Sequence, residues 1–232
     1  MELIDALRTT GAVREFSEEP VTDDVLWHVL DDARFAPSGG NRQAWHVVVV
    51  RDRLVRQRVR DLYLDAWHDY VSHVLAGVSP FSPLASGDDR AAALAQRPAA
   101  LAASRPEDFA ERMDRAPVML VVCANLAALA ATDRDLGRYQ IVGGASIYPF
   151  VWNILLAAHE RGLGGVLTTV ATRNEDDLRD VLAIPPTFAV ASVVVLGYPL
   201  ARPTALSRRA VEHFSTVDAF DGRPFTVRGP VA

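Results

Sequence analysis

Hydrophobic positions along this chain alternate between helical and extended spacing. Leu3, Ile4 and Leu7 share one face of a short first helix that ends at Gly11, and residues 12–16 read as an extended segment carrying Arg14 outward between Val13 and Phe16. Thr22 is placed to cap a second helix, with Asp23 and Asp24 in its first turn, where the helix dipole favours negative charge. Val25, Leu26, Val29, Leu30 and Ala33 form its buried stripe. A β-branched run at residues 45–50 predicts the first strand, and residues 117–123 the second. A weak alanine-rich helix is expected next, then a pause at Gly143 and Gly144. Ser146 can cap the following helix, in which Ile147, Phe150, Val151, Ile154, Leu155 and Ala158 face the core. Residues 166–170 give a third strand. Asn174 caps a short helix through Leu178 and Leu182, and residues 188–196, apolar nearly throughout, give a central fourth strand.

Between the second helix and the first strand lies Ala36-Pro37-Ser38-Gly39-Gly40-Asn41-Arg42-Gln43-Ala44-Trp45. Pro37 stops the helix, and the two glycines permit a sharp bend. Ser38, Asn41 and Gln43 thus gather hydroxyl and amide groups on a turn in front of a buried strand, where a scaffold presents hydrogen bonds to a ligand. A polar helix-to-strand connection would read the same way.

Two long stretches lack a clear period. Residues 77–106 are rich in Ala, Ser, Pro and Arg and read as a mobile excursion, either a surface loop or a lid over a site, although residues 90–94 and nearby alanines can make short helical turns. Residues 202–232 read as a C-terminal arm whose isolated Val211, Phe214, Phe220 and Phe225 need a surface to cover, and a second subunit is a natural one.

At 232 residues and 50% hydrophobic, the chain suits one domain with one substantial core. A net charge of -5 offers no field that would draw nucleic acid or an anionic membrane. The arginines at 51, 53, 56, 58 and 60 are expected to form the solvated face of a helix. All 24 basic side chains are arginine. Schiff-base chemistry and a phosphate-loop lysine are therefore excluded. The one cysteine, Cys123, sits in an apolar run and is expected to be buried and inert. The histidines lack zinc-ligand spacing, so no metal site is expected, and no Gly-x-Ser-x-Gly elbow marks a nucleophilic serine. No signal peptide or membrane span is legible, and a cytoplasmic location is expected. What remains is a set of donors and cations without an obvious acid, base or nucleophile. That inventory suits an enzyme whose cofactor carries the chemistry.

Residues 36–45 resemble the APSxxNxQPW signature of the FMN-dependent nitroreductase family, with Ala44 where proline is usual. Four further segments support the resemblance in order. Ala12 to Phe16 resembles the end of the family's RRSxRxF opening, and Asn153 to Ala158 with Gly162-Leu163-Gly164 resembles its NLLLAA...GLG helix. Val181 to Pro185, followed by Val195 to Pro199, resembles LLGIP...LGYP.

The resemblance implies an α+β fold, a mixed central β-sheet flanked by helices, in an intertwined homodimer that binds FMN. It implies a reaction in which NADH or NADPH reduces the flavin and an aromatic or electron-poor acceptor, such as a nitro compound or quinone, reoxidises it. Reductive dehalogenation, flavin fragmentation and non-catalytic flavin storage are the alternatives. By the same resemblance Arg14 lies beside the flavin ring, and Ser38, Gly39, Asn41 and Gln43 reach FMN across the dimer interface. Thr169 and Val170 match the pair whose backbone lies near flavin N5, and Thr168 or Thr169 can offer a hydroxyl there. Of these, Arg14, Thr168 and Thr169 are the candidate catalytic residues. Arg208 and Arg209 match the basic pair that holds the phosphate. The chain departs from the family at Thr10 and Ala12, where arginine and serine are usual, so phosphate binding leans on Arg208, Arg209 and backbone groups.

Overall fold

The computed structural model describes residues 2–203 and 206–227. The last five residues of the expected C-terminal arm, together with 204 and 205, lie outside the described residues. Eight helices and four strands follow one another: α1 (Leu3–Thr9), α2 (Asp23–Ala33), β1 (Trp45–Val49), α3 (Arg53–Leu75), α4 (Gly87–Ala95), α5 (Arg97–Ala103), α6 (Phe109–Arg112), β2 (Val118–Asn125), α7 (Tyr148–Glu160), β3 (Gly164–Thr168), α8 (Glu175–Leu182) and β4 (Phe188–Gly197). Short 3-10 turns link several of them.

The strands form one sheet in the order β1-β2-β4-β3, with antiparallel pairing between all neighbours. The one parallel pairing among the described residues is an isolated bridge between Ala12 and Gly165. β2 and β4 are central and buried on both faces, so they read as continuous apolar runs. Leu120, Val122, Val194 and Leu196 point to one side and pack with Leu26, Val29 and Ala33 of α2 and Phe150, Val151 and Ile154 of α7. Met119, Val121, Val193 and Val195 point to the other and meet Val59 and Tyr63 of α3 and Leu178 of α8. The result is an α+β arrangement of helix layer, sheet and helix layer.

Several local expectations hold for the reasons given. Thr22 accepts from the Val25 N–H at 3.3 Å at the start of α2, and Cys123 is buried, its thiol pushed up to about 11 by desolvation.

Others need correction. The 77–106 stretch contains two ordered helices, α4 and α5. Their core contribution is mainly alanine, with Ala93 and Ala100 buried, so the weak periodicity suggests only short turns around residues 90–94 where two full helices form. Ser86 caps α4 with a reciprocal box to Asp89, and Arg97 at the start of α5 pairs with both Asp65 and Asp69 of α3. No helix follows β2. Asn125 accepts from the Ala127 N–H at 3.0 Å, and buried Asp133 accepts from the N–H groups of Ile141 and Val142 and from Arg138. These side-chain bonds give the backbone an alternative to helix. Hydrogen bonding from the Ile141 amide, with Val142 and Arg138, holds the Asp133 carboxyl below its ordinary range.

The arginine run is only partly a solvated face. Arg56 donates to the Ala116 carbonyl and Arg60 to the Glu111 carbonyl at 2.7 Å, clamping α3 to the chain ahead of β2.

Candidate functional site

β3 begins two residues earlier than the apolar pattern suggests, at Gly164, because two glycines allow both a close strand pairing and the docking of the N-terminal segment. A Cβ added at Gly164 would lie 2.7 Å from Val13, and one at Gly165 would lie 2.4 Å from Leu196 and 2.6 Å from the Val195 carbonyl oxygen. With no side chain in the way, the Val13 N–H donates to the Gly165 carbonyl at 2.9 Å. Phe16 bridges Pro199 further along. This anchoring fixes Arg14 between two backbone contacts and aims its side chain past the end of β3.

There, Arg14 and Thr168 line one cavity of about 440 Å³ with Tyr63, Trp67 and Tyr70 from α3 and Phe109 from α6. The α3 aromatics lie at positions i, i+4 and i+7, one helical face. Tyr63 and Trp67 stack at 6.1 Å between centroids, and Trp67 and Tyr70 at 4.9 Å. Burial pushes the Tyr63 phenol above its ordinary range, an effect offset in part by a side-chain hydrogen bond with Thr168 and by the Arg14 charge. The cavity therefore joins a flat aromatic wall, a hydroxyl and a guanidinium.

The chain leaves the strand after Thr168, so the alternation expected across 166–170 does not apply to its last two residues. Thr169 adopts φ -108 and ψ -3, and Val170 opens a 3-10 turn. The Thr169 carbonyl accepts from the N–H and the hydroxyl of Thr172. Thr168 is half-buried and Thr169 exposed. Asn174 does not cap α8 through its side chain but donates to the Leu62 carbonyl at 2.8 Å, tying the turn to α3.

The loop after α2 is a strained bend. Gly40 at φ 60, Asn41 at φ 53 and Gln43 at φ 47 all occupy the left-handed region, which a glutamine seldom adopts. Such backbone persists only where neighbours hold it. The Gly39 N–H donates to the Ser146 hydroxyl at 3.0 Å, the Gln43 N–H to the Ser38 hydroxyl at 2.9 Å, and the Gln43 side chain to Asn41 at 3.3 Å. Ser146 thus braces this loop and does not cap α7. The side chains of Asn41 and Gln43 remain exposed, and neither Ser38, Gly39, Asn41 nor Gln43 lines the Arg14 cavity.

Arg208 and Arg209 are exposed, and among the described residues neither has an acidic partner. Their segment is pinned nearby: Pro203 and Leu206 pack against Gly11, both within 2.9 Å of where a Cβ would stand. Thr10 is buried, and its hydroxyl meets no partner among the described residues. Within one chain the candidates therefore fall into four groups, the Arg14–Thr168 cavity, the turn at Thr169 and Val170, neither of which lines that cavity, the 38–43 loop and the basic pair. Phe109 joins the cavity without a sequence signal of its own, and Ser146, legible only as a helix cap, joins the loop. Among the described residues no cluster of three or more His, Cys, Asp or Glu is placed to hold a metal, and no helix is long and apolar enough to cross a membrane.

Several known proteins are similar to this chain as a whole. An FMN reductase [NAD(P)H] of Bacillus subtilis is 24% identical over 228 residues, covering 93% of this chain and 74% of its own. An NADH dehydrogenase of Thermus thermophilus is 27% identical over 188 residues, covering 81% and 82%. Among solved structures, a BluB-like flavoprotein from Clostridium difficile superposes with a TM-score of 0.65 at 21% identity, covering 93% and 98%. The model of the Nitroreductase family matches residues 7–198, and the chain belongs to that family.

Proposed function

We propose that this protein is an FMN-dependent NAD(P)H oxidoreductase that works as a homodimer and passes electrons to a small aromatic or otherwise electron-poor acceptor. The observation that carries the reading is the union of Arg14, Thr168 and the α3 aromatic wall in one cavity. The donor set fits a flat, anionic cofactor. Arg14 supplies a fixed positive charge beside the ring system, where negative charge accumulates on reduction, and Thr168 supplies a hydroxyl that can donate or accept. Arg208 and Arg209, neither with an acidic partner among the described residues, offer two guanidinium groups for a phosphate, although Arg208 also donates to the Ser207 carbonyl. The buried Thr10 hydroxyl, which meets no partner among the described residues, stands where the family usually carries an arginine.

FMN supplies the redox chemistry when bound; the chain orients its ring and balances its charge. For a nitro acceptor the net reaction is RNO2 + NAD(P)H + H+ → RNO + NAD(P)+ + H2O, so two electrons and one proton come from the nicotinamide and one proton from solvent. The loop at residues 38–43 supports the dimer. Its braced, strained backbone leaves Asn41 and Gln43 exposed and outside the lining of its own chain's cavity, as a contribution to a partner's site would require. Electron transfer in pairs is the expected mode, and the segment that carries α4 and α5 is the proposed lid, although no residue of either helix lines the Arg14 cavity itself. Reductive dehalogenation remains the alternative outcome for the same site.

Purified protein reconstituted with FMN is expected to oxidise NADH or NADPH faster in the presence of a nitroaromatic or a quinone. Bound FMN with no oxidation of either nucleotide would instead make the protein a flavin carrier.

A further inference from the structure

The other side of α3 borders a second and larger cavity, about 540 Å³, formed with the chain ahead of α4 and with the turn that follows β3. Its size suits a drug-sized molecule. Phe81 stands at its centre with φ 53, a strained backbone for a bulky residue. Its ring meets two others and a guanidinium. Tyr70 is 6.4 Å away between centroids and His73 is 4.9 Å away, while the Arg173 guanidinium lies 5.1 Å from the ring centre. Tyr139, from the loop that Asp133 organises, completes the wall.

The charge balance here is uneven. Asp69 is the one acid among the lining residues, and Arg97 already pairs with it. Arg90 uses its Nε on the Ser86 carbonyl at 3.2 Å, and its terminal nitrogens meet no acceptor among the described residues. Arg173 is exposed and makes no described hydrogen bond or ion pair. A guanidinium placed over a ring keeps its in-plane N–H donors available, and those donors match a carboxylate in a two-pronged geometry. The two cavities are linked through α3, where Tyr70 of the first lining meets Phe81 of the second. Tyr63, Trp67, Tyr70 and Phe81 form one row of ring contacts running from Thr168 to Arg173.

We propose that this second cavity selects acceptors bearing a carboxylate: a small aromatic acid lies along the ring row, its acid group held by Arg173 and Arg90. The inference rests on the flavin reading for its catalytic consequence. The binding of the acid does not depend on it.

The test uses 4-nitrobenzoate and nitrobenzene, a matched pair differing in the acid group. With the FMN-loaded protein, kcat/KM for 4-nitrobenzoate is expected to exceed that for nitrobenzene at least tenfold. In Arg173→Gln that ratio should fall about tenfold, mainly through KM, with Arg173→Lys restoring part of it and Arg90→Gln lowering it less. Calorimetric titration of 4-nitrobenzoate should show binding to the wild type that Arg173→Gln weakens by a similar factor, and it reads the site even if neither compound is reduced. An unchanged ratio together with unchanged binding would overturn the proposal. So would a rise in KM for NADPH but not NADH in Arg173→Gln, because the cavity would then hold a nucleotide phosphate. A protein that fails to take up FMN yet binds 4-nitrobenzoate through Arg173 would sink the flavin reading and leave this site standing.

Discussion

Arg14→Ala is expected to weaken FMN binding by roughly 10- to 100-fold, the equivalent of a lost charge-assisted hydrogen bond of about 1.5 to 3 kcal/mol. The side chain is exposed to the cavity, and its position comes from backbone contacts on either side, Val13 on Gly165 and Ser17 on Tyr198. Truncation should therefore leave the fold intact. The effect belongs to binding and to redox balance: without the guanidinium, the reduced and more negative cofactor loses a counter-charge, so the reduction potential should fall as well. Arg14→Lys keeps the charge and should recover part of both. Fluorescence titration with FMN and a potentiometric titration measure the two effects. Unchanged affinity with unchanged potential would place Arg14 outside the site.

Gly165→Ala is expected to destabilise the protein by about 3 kcal/mol, at the upper end of what overpacking a core costs. The new Cβ would stand 2.4 Å from Leu196 and 2.6 Å from the Val195 carbonyl oxygen. The leucine can rotate away; the carbonyl is held in the central strand β4. For a chain of this size the melting temperature should fall by roughly 6 to 12 °C. Gly87→Ala is the control, since its Cβ would meet nothing within 4 Å. Equal melting temperatures for the two variants would show that the β3–β4 pairing yields where the geometry says it is tight.

The elements with a strong apolar period were readable from the sequence because tertiary packing uses that same period. α2, α7 and the central strands β2 and β4 bury wide stripes of Leu, Ile, Val and Phe, and their approximate extents follow. Where burial rests on small or polar groups, the pattern gives no warning. α4 and α5 dock mainly through Ala93, Ala100 and the ion pairs of Arg97. The turn after β2 owes its shape to Asp133, whose three bonds reach five to nine residues ahead. The start of β3 was missed because glycines, which carry no hydrophobic signal, make the contact with Val13.

The site was legible in a similar way. A motif of small and polar residues identified the 38–43 loop, and its left-handed backbone shows why glycine and asparagine belong there. The motif did not show that Ser38 and Ser146 are engaged in bracing the loop. Arg173 and Phe81 meet across more than ninety residues of sequence, and no local pattern carries such a contact.

The central claim is that this chain binds FMN and that NAD(P)H reduces it there. The absorbance spectrum of the purified protein, recorded after FMN loading and removal of excess cofactor and again after anaerobic addition of NADH or NADPH, tests it most directly. A flavin spectrum at one FMN per chain that bleaches on addition of at least one of the two nucleotides is expected. A colourless protein that retains no FMN, or bound FMN that neither nucleotide bleaches, would contradict it.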